Sequence, residues 1–111
     1  MLVYTVTCAL PSEAECARYL AWLEDDHLND VVRGGALSGE AVRLDGDAIV
    51  VETRYRFASR EAFAAYEAGP AEALRAEGRE KFGEGTGITF TRSVGEVRVR
   101  RGGGRGGQAT A

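Results

Sequence analysis

Leu2, Tyr4, Val6 and Cys8 alternate with Val3, Thr5 and Thr7 at the start of the chain, the two-residue period of a β-strand. Residues 2–10 are rich in β-branched and aromatic types and hold no Gly or Pro, which predicts a strand whose Leu2–Cys8 face seeks burial. The period then lengthens. Ser12 and Glu15 have the spacing of a capping box, in which each side chain satisfies a backbone N–H near the other. At about 100° per residue, Cys16, Leu20, Leu23, His27 and Val31 form one apolar stripe. Tyr19 and Trp22 lie to one side of it, and Arg18, Asp25 and Asn29 lie opposite. A helix is predicted to about Val32, stopped by Gly34-Gly35.

Two further strands are predicted over 37–45 and 48–57, with a tight turn at Asp45-Gly46-Asp47. In the second, Ile49, Val51, Thr53, Tyr55 and Phe57 share a face, and Glu52, Arg54 and Arg56 share the other. Ser59 caps the next helix, with Glu61 in its first turn. Gly69-Pro70 must break or kink that helix, because proline has no N–H and clashes with the preceding turn. Helical spacing resumes at Leu74, Gly78 and Phe82, and Gly83, Gly85 and Gly87 end it. A last strand over 88–95 sets Ile88, Phe90, Arg92 and Val94 against Thr89, Thr91 and Ser93. The order β-α-β-β-α-β predicts an α+β, ferredoxin-like domain over residues 1–95. It has a four-stranded antiparallel sheet with both helices on one face. The other face must meet water or another sheet.

Composition narrows the class. The chain has 111 residues, 44% hydrophobic and 28% charged, enough for one core and not two. No apolar run approaches the ~20 residues that cross a bilayer. The start lacks a basic region and a small-residue cleavage site, so the cytoplasm is expected. Residues 1–95 hold ten Lys/Arg against sixteen Asp/Glu, a balance that argues against nucleic-acid binding by the domain. Residues 96–111 hold four Arg, one Glu and five glycines within Arg100–Gly107. Such a segment builds no core and is predicted to be a disordered tail, the one place where RNA binding through charge is conceivable.

Gly83-Glu84-Gly85-Thr86-Gly87 follows a helix and precedes a strand. A phosphate cradle needs the reverse, so this is a helix stop and a turn. Glu24 and His27 share the Glu-x-x-His spacing, but there is no second histidine, and no metal site is expected. Cys8 and Cys16 lack Cys-x-x-Cys spacing and are expected to be small buried thiols. His27, in mid-stripe, has two readings. It is a hydrogen-bonded residue of the core or pocket rim, or it is a polar group facing a cleft between helix and sheet. Tyr4 and Tyr55, on the helix-facing phases of their strands, would supply hydroxyls there, and a neutral imidazole beside phenols orients a ligand or serves as a general base. The candidate site is therefore His27 as the catalytic group in a pocket with Tyr4 and Tyr55. Since an unpaired buried polar group costs about 1–3 kcal/mol, His27 is expected within reach of a tyrosine hydroxyl, a carbonyl or water. Tyr19, Trp22, Phe63 and Tyr66 read as packing, and Glu52, Arg54 and Arg56 as ion-paired residues of the open sheet face.

A set of residues also carries a resemblance. It comprises Val3-Tyr4-Thr5-Val6, Tyr19-Leu20-Ala21-Trp22-Leu23 with His27, Tyr55-Arg56-Phe57 with Ser59-Arg60-Glu61-Ala62, Tyr66, Ala71 to Gly78 leading to Phe82-Gly83, and Arg92. Together they resemble a small bacterial domain-of-unknown-function family of the dimeric α/β-barrel superfamily. That superfamily also holds antibiotic-biosynthesis monooxygenases, haem-degrading monooxygenases and EthD-like proteins. The resemblance covers residues 1–95. It implies a homodimer formed by packing two sheets into a barrel, and a small-ligand protein whose nearest enzyme class is a cofactor-independent oxygenase or isomerase of a small aromatic or polyketide-like compound. The alternative is a non-catalytic dimeric binding or accessory protein. Haem degraders use an Asn, a Trp and a His from particular elements. Here the first strand offers Thr5 and Thr7, and the only Trp and His share one helix, so no cofactor is expected.

Overall fold

The computed structural model describes residues 1–103. Four strands, β1 (Leu2–Leu10), β2 (Ser38–Arg43), β3 (Ile49–Phe57) and β4 (Thr89–Glu96), form one antiparallel sheet in the order β2-β3-β1-β4. Leu2 pairs with Phe57 on one side and Glu96 on the other. This register aligns Tyr4 with Tyr55 and Val94, and Val6 with Thr53 and Arg92. The Leu2–Cys8 and Val51–Phe57 faces thus turn inward together, as their alternation predicts. Gly46, at φ 138°, carries the β2–β3 connection in the left-handed region, but the strands end at Arg43 and resume at Ile49, a longer loop than the tight turn expected.

The first helical arm departs from a single regular helix. It runs as α1 (Glu13–Trp22), a π-helical turn over Leu23–His27, and α2 (Leu28–Arg33). The Leu28 N–H reaches back to the Leu23 carbonyl, a five-residue step. The apolar stripe survives this insertion, with Cys16, Leu23 and Val31 buried and Leu20 and His27 half-buried. Ser12 caps α1 by accepting from the Glu15 N–H at 3.1 Å. The second arm is α3 (Arg60–Ala68), capped by Ser59 accepting from the Ala62 N–H at 3.0 Å, and α4 (Ala71–Phe82), parted at Gly69-Pro70 as predicted.

Both arms cover the same sheet face, and two apolar clusters form beneath them. Leu2, Tyr4, Tyr55, Phe57 and Tyr66 anchor one, and Cys8, Cys16, Tyr19, Val51 and Phe82 the other. The opposite face carries Glu52, Arg54 and Arg56 and, among the described residues, no helix. There Arg54 pairs with Glu52 at 2.7 Å and approaches Glu40 across the strands at 4.0 Å. Such exposed pairs contribute little to stability.

Beyond β4, the Val97 N–H donates to the Met1 carbonyl at 2.9 Å, extending the pairing with β1 by one rung. Residues 97–103 have no regular secondary structure. Most of the Gly/Arg segment, residues 104–111, lies outside the described residues.

Candidate ligand pocket

Between the two apolar clusters the strands present small or short side chains, Val6 on β1 and Thr53 on β3. On α4 the facing position is Gly78, where a Cβ would meet Trp22 Cη2 at 3.4 Å. Large aromatics stand on either side, and the result is a cavity between helices and sheet. It spans about 540 Å³ when the space at its mouth is counted, and it is narrower within. Tyr4, Tyr55 and His27, the three residues picked from the sequence, all line it. So do Tyr19, Trp22 and Tyr66, which the sequence reading left to packing. Phe63 alone of that group does not line the cavity; it is half-buried, packed against the core and edge-on to Phe57.

The π turn determines how His27 is presented. In a π turn residues five apart lie above one another, and His27 stacks on Trp22 at 4.3 Å between ring centroids, with 18° between planes. A regular helix would separate the two by about 140°. The imidazole also approaches the Tyr55 ring edge-on at 6.5 Å. Of the expected partners, neither a tyrosine hydroxyl nor a backbone carbonyl bonds His27 Nδ1 among the described residues. The Tyr4 hydroxyl is taken by two arginines, and His27 Nδ1 is buried with no hydrogen-bond partner among the described residues. Burial, more than the Arg92 charge, pushes the His27 pKa down from 6.5 to about 4, with Asp30 opposing. The ring is therefore neutral at neutral pH.

Tyr4 is the centre of a second group. Its hydroxyl oxygen accepts from Arg75 Nη2 at 3.2 Å and from Arg92 Nε at 3.0 Å. Arg75 is also held by Glu67. Burial works against the charge of Arg75, but the Glu67 and Tyr4 contacts outweigh it and raise its pKa. Trp22 Nε1 and Arg75 Nε are buried without partners among the described residues. The Thr53 hydroxyl lacks a partner of hydrogen-bond geometry too, although it is close enough to the Tyr19 phenol to act on its ionisation. Burial raises the pKa of the Tyr19 and Tyr55 phenols and takes that of Tyr66 to about 12.

Neither arginine belongs to the sequence-derived site. Arg92 had a signal, since it occupies the inward phase of β4 between Phe90 and Val94. Arg75 had none, because its approach to Tyr4 depends on how α4 settles against the sheet. Cys8 and Cys16 are both free and buried, and burial pushes the Cys8 thiol up to about 12. Among the described residues no three His, Cys, Asp or Glu side chains gather as metal ligands, and no helix is long and apolar enough to cross a membrane.

A four-stranded antiparallel sheet in βαββαβ order, with an aromatic and arginine-lined cavity under its helices, places the chain among ferredoxin-like proteins. Solved structures agree on the fold. A dimeric ferredoxin-like protein from an uncultured marine organism superposes with a TM-score of 0.71 at 12% identity, covering 91% of this chain and 98% of its own. A putative antibiotic biosynthesis monooxygenase from Deinococcus radiodurans gives 0.68 at 12% identity, covering 92% and 97%. A Streptomyces coelicolor monooxygenase in complex with nanaomycin D gives 0.63 at 15% identity, covering 91% and 92%. No curated protein matches the sequence. The chain belongs to the family described as "Domain of unknown function (DUF4286)", which matches residues 1–96.

Proposed function

We propose that this protein works in the cytoplasm as a homodimer that binds a small aromatic or polyketide-like compound in the helix–sheet cavity and acts on it without a cofactor, by oxygenation or isomerisation. The observation that carries this reading is the cavity. Its walls are the rings of Tyr4, Tyr19, Trp22, Tyr55 and Tyr66, and polar atoms of Trp22, His27 and Arg75 in those walls are buried without partners among the described residues. Each such atom costs about 1–3 kcal/mol unpaired, and a ligand with complementary groups recovers that cost. The dimer is supported by the bare sheet face of Thr5, Thr7, Arg54 and Arg56, and by two similar structures described as dimeric.

His27 takes the catalytic role in this reading. Both reactions begin with one step: a C–H or O–H bond of the substrate breaks, the imidazole takes the proton, and the electron pair stays on the substrate as an enolate or phenolate. Return of the proton at another carbon is isomerisation. Transfer of electrons from the enolate to dioxygen, the oxidant, begins oxygenation. One observation favours a second reading, a non-catalytic binding or accessory protein: among the described residues no carboxylate or hydroxyl orients His27 Nδ1, and a conjugate acid with a pKa of about 4 marks a weak base.

Native mass spectrometry of wild type and His27→Leu, with dioxygen uptake on a hydroxynaphthoquinol probe, tests the reading. The expected result is twice the chain mass with probe bound, uptake by wild type, and loss of uptake in a variant that still folds. Binding without uptake selects the accessory reading. A monomer that binds no aromatic compound refutes both.

A further inference from the structure

Of the described residues fourteen line the cavity, and among them are three arginines, Arg75, Arg79 and Arg92, and no Asp or Glu. This stands out in a domain whose residues 1–95 hold sixteen Asp/Glu against ten Lys/Arg. The three arginines are not equivalent. Arg75 is paired with Glu67, and Arg79 lies 3.7 Å from Glu72. Arg92 has no carboxylate within 4.0 Å among the described residues. Its Nε is fixed on the Tyr4 hydroxyl, and its two terminal nitrogens bond to nothing there. Tyr4 thus holds Arg92 by Nε in the lining of an aromatic slot, and its two terminal nitrogens are left for a ligand.

We propose that the ligand of this cavity is a monoanion, a small aromatic carboxylic acid, whose carboxylate is gripped by the free edge of Arg92 and whose ring lies against Trp22 and Tyr55. This rests on the reading of the cavity as a ligand site and adds its charge selectivity. One uncompensated guanidinium in the lining matches one negative charge. A guanidinium edge and a carboxylate meet in two parallel hydrogen bonds, a geometry that a phosphate dianion beside a single free arginine would leave half-neutralised. Arg92 is itself exposed, so the pair competes with water and its strength rests on the two-bond geometry. The Trp22 indole N–H, buried and unpartnered, offers a donor to an oxygen substituent on the ring. An anion held here would also draw the His27 pKa back up, because it opposes both the burial and the Arg92 charge that depress it.

Trp22 is the only tryptophan in the chain, so its fluorescence reports the cavity alone. The experiment titrates wild type, Arg92→Gln and Arg98→Gln with benzoate and with benzamide, its neutral isostere, after thermal melts show that the variants are folded. Arg98 lies outside the cavity, paired with Glu96, and controls for lost positive charge. Wild type is expected to bind benzoate about three- to fivefold more tightly than benzamide. Arg92→Gln should abolish that preference and leave benzamide binding unchanged, while Arg98→Gln behaves as wild type. Equal binding of acid and amide, or an unaltered preference in Arg92→Gln, overturns the anion proposal and leaves the cavity as a site for neutral aromatics. Quenching by neither compound at millimolar concentration overturns the proposal and the reading of the cavity beneath it.

Discussion

Acid should destabilise this protein through His27 in a window that its burial defines. The imidazole takes a proton at about 6.5 in an unfolded chain and at about 4 in the folded one. As pH falls the unfolded state binds the proton first, so the stability associated with neutral His27 is complete above about 6.5 and is lost progressively down to about 4. The full difference is about 3 kcal/mol, and about 2 kcal/mol of it is gone near pH 5. Asp30 and Arg92 act on the ring in opposite senses and enter that figure already. The assay is urea denaturation of wild type and His27→Leu at a series of pH values. Carboxylates titrate alike in both proteins, so the difference between the two curves isolates the histidine. At high pH, leucine should cost nothing, since it replaces a ring with an orphaned Nδ1 on an apolar stripe, and the Trp22 stacking it removes is offset by its own burial. Towards pH 5 the wild type should fall behind the variant by about 2 kcal/mol. Parallel curves would refute the reasoning, because they would mean an imidazole hydrated in the folded state.

Three further outcomes follow from the same geometry. Tyr4→Phe keeps the ring packing but strips the shared acceptor from two guanidiniums; Arg92 rehydrates at little cost and half-buried Arg75 does not, so urea midpoints should report a loss of about 1 kcal/mol. Gly78→Leu should block aromatic ligands at Trp22 in a fluorescence titration while stability holds or rises by up to about 1 kcal/mol, since leucine is the better helix former. Cys8 and Cys16 should resist a thiol-specific reagent in the folded protein and react in urea, as burial and a Cys8 pKa of about 12 leave almost no thiolate at neutral pH.

How much of this was legible in the sequence follows from which forces act locally. Strand alternation turned Tyr4 and Tyr55 inward, and helical phase put His27 on the buried stripe, because burial of an apolar face is written residue by residue. The Ser12 and Ser59 caps and the Gly69-Pro70 break are equally local. The π turn was not legible. One residue more per turn leaves the stripe of Cys16, Leu23 and Val31 nearly intact, yet it moves Trp22 from the flank to the face of His27. The arginine clamp on Tyr4 joins positions 71 and 88 residues apart, and only the packed sheet and α4 bring them together. Tyr19, Trp22 and Tyr66 read as packing because an aromatic at an inward phase carries no mark of a void beside it, whereas the cavity arises from the short side chains at Val6, Thr53 and Gly78 between them.

The measurement that tests the central claim most directly is a ¹H–¹⁵N spectrum of the labelled protein titrated with small aromatic compounds. Its single tryptophan gives one unambiguous indole N–H, at an atom buried in the cavity wall without a partner. The account predicts that this resonance moves most, together with the backbone amides of His27, Tyr55, Gly78 and Arg92, and that Gly78→Leu abolishes the response. Shifts confined to the open sheet face around Thr5, Arg54 and Arg56, with the Trp22 indole unmoved, would contradict it.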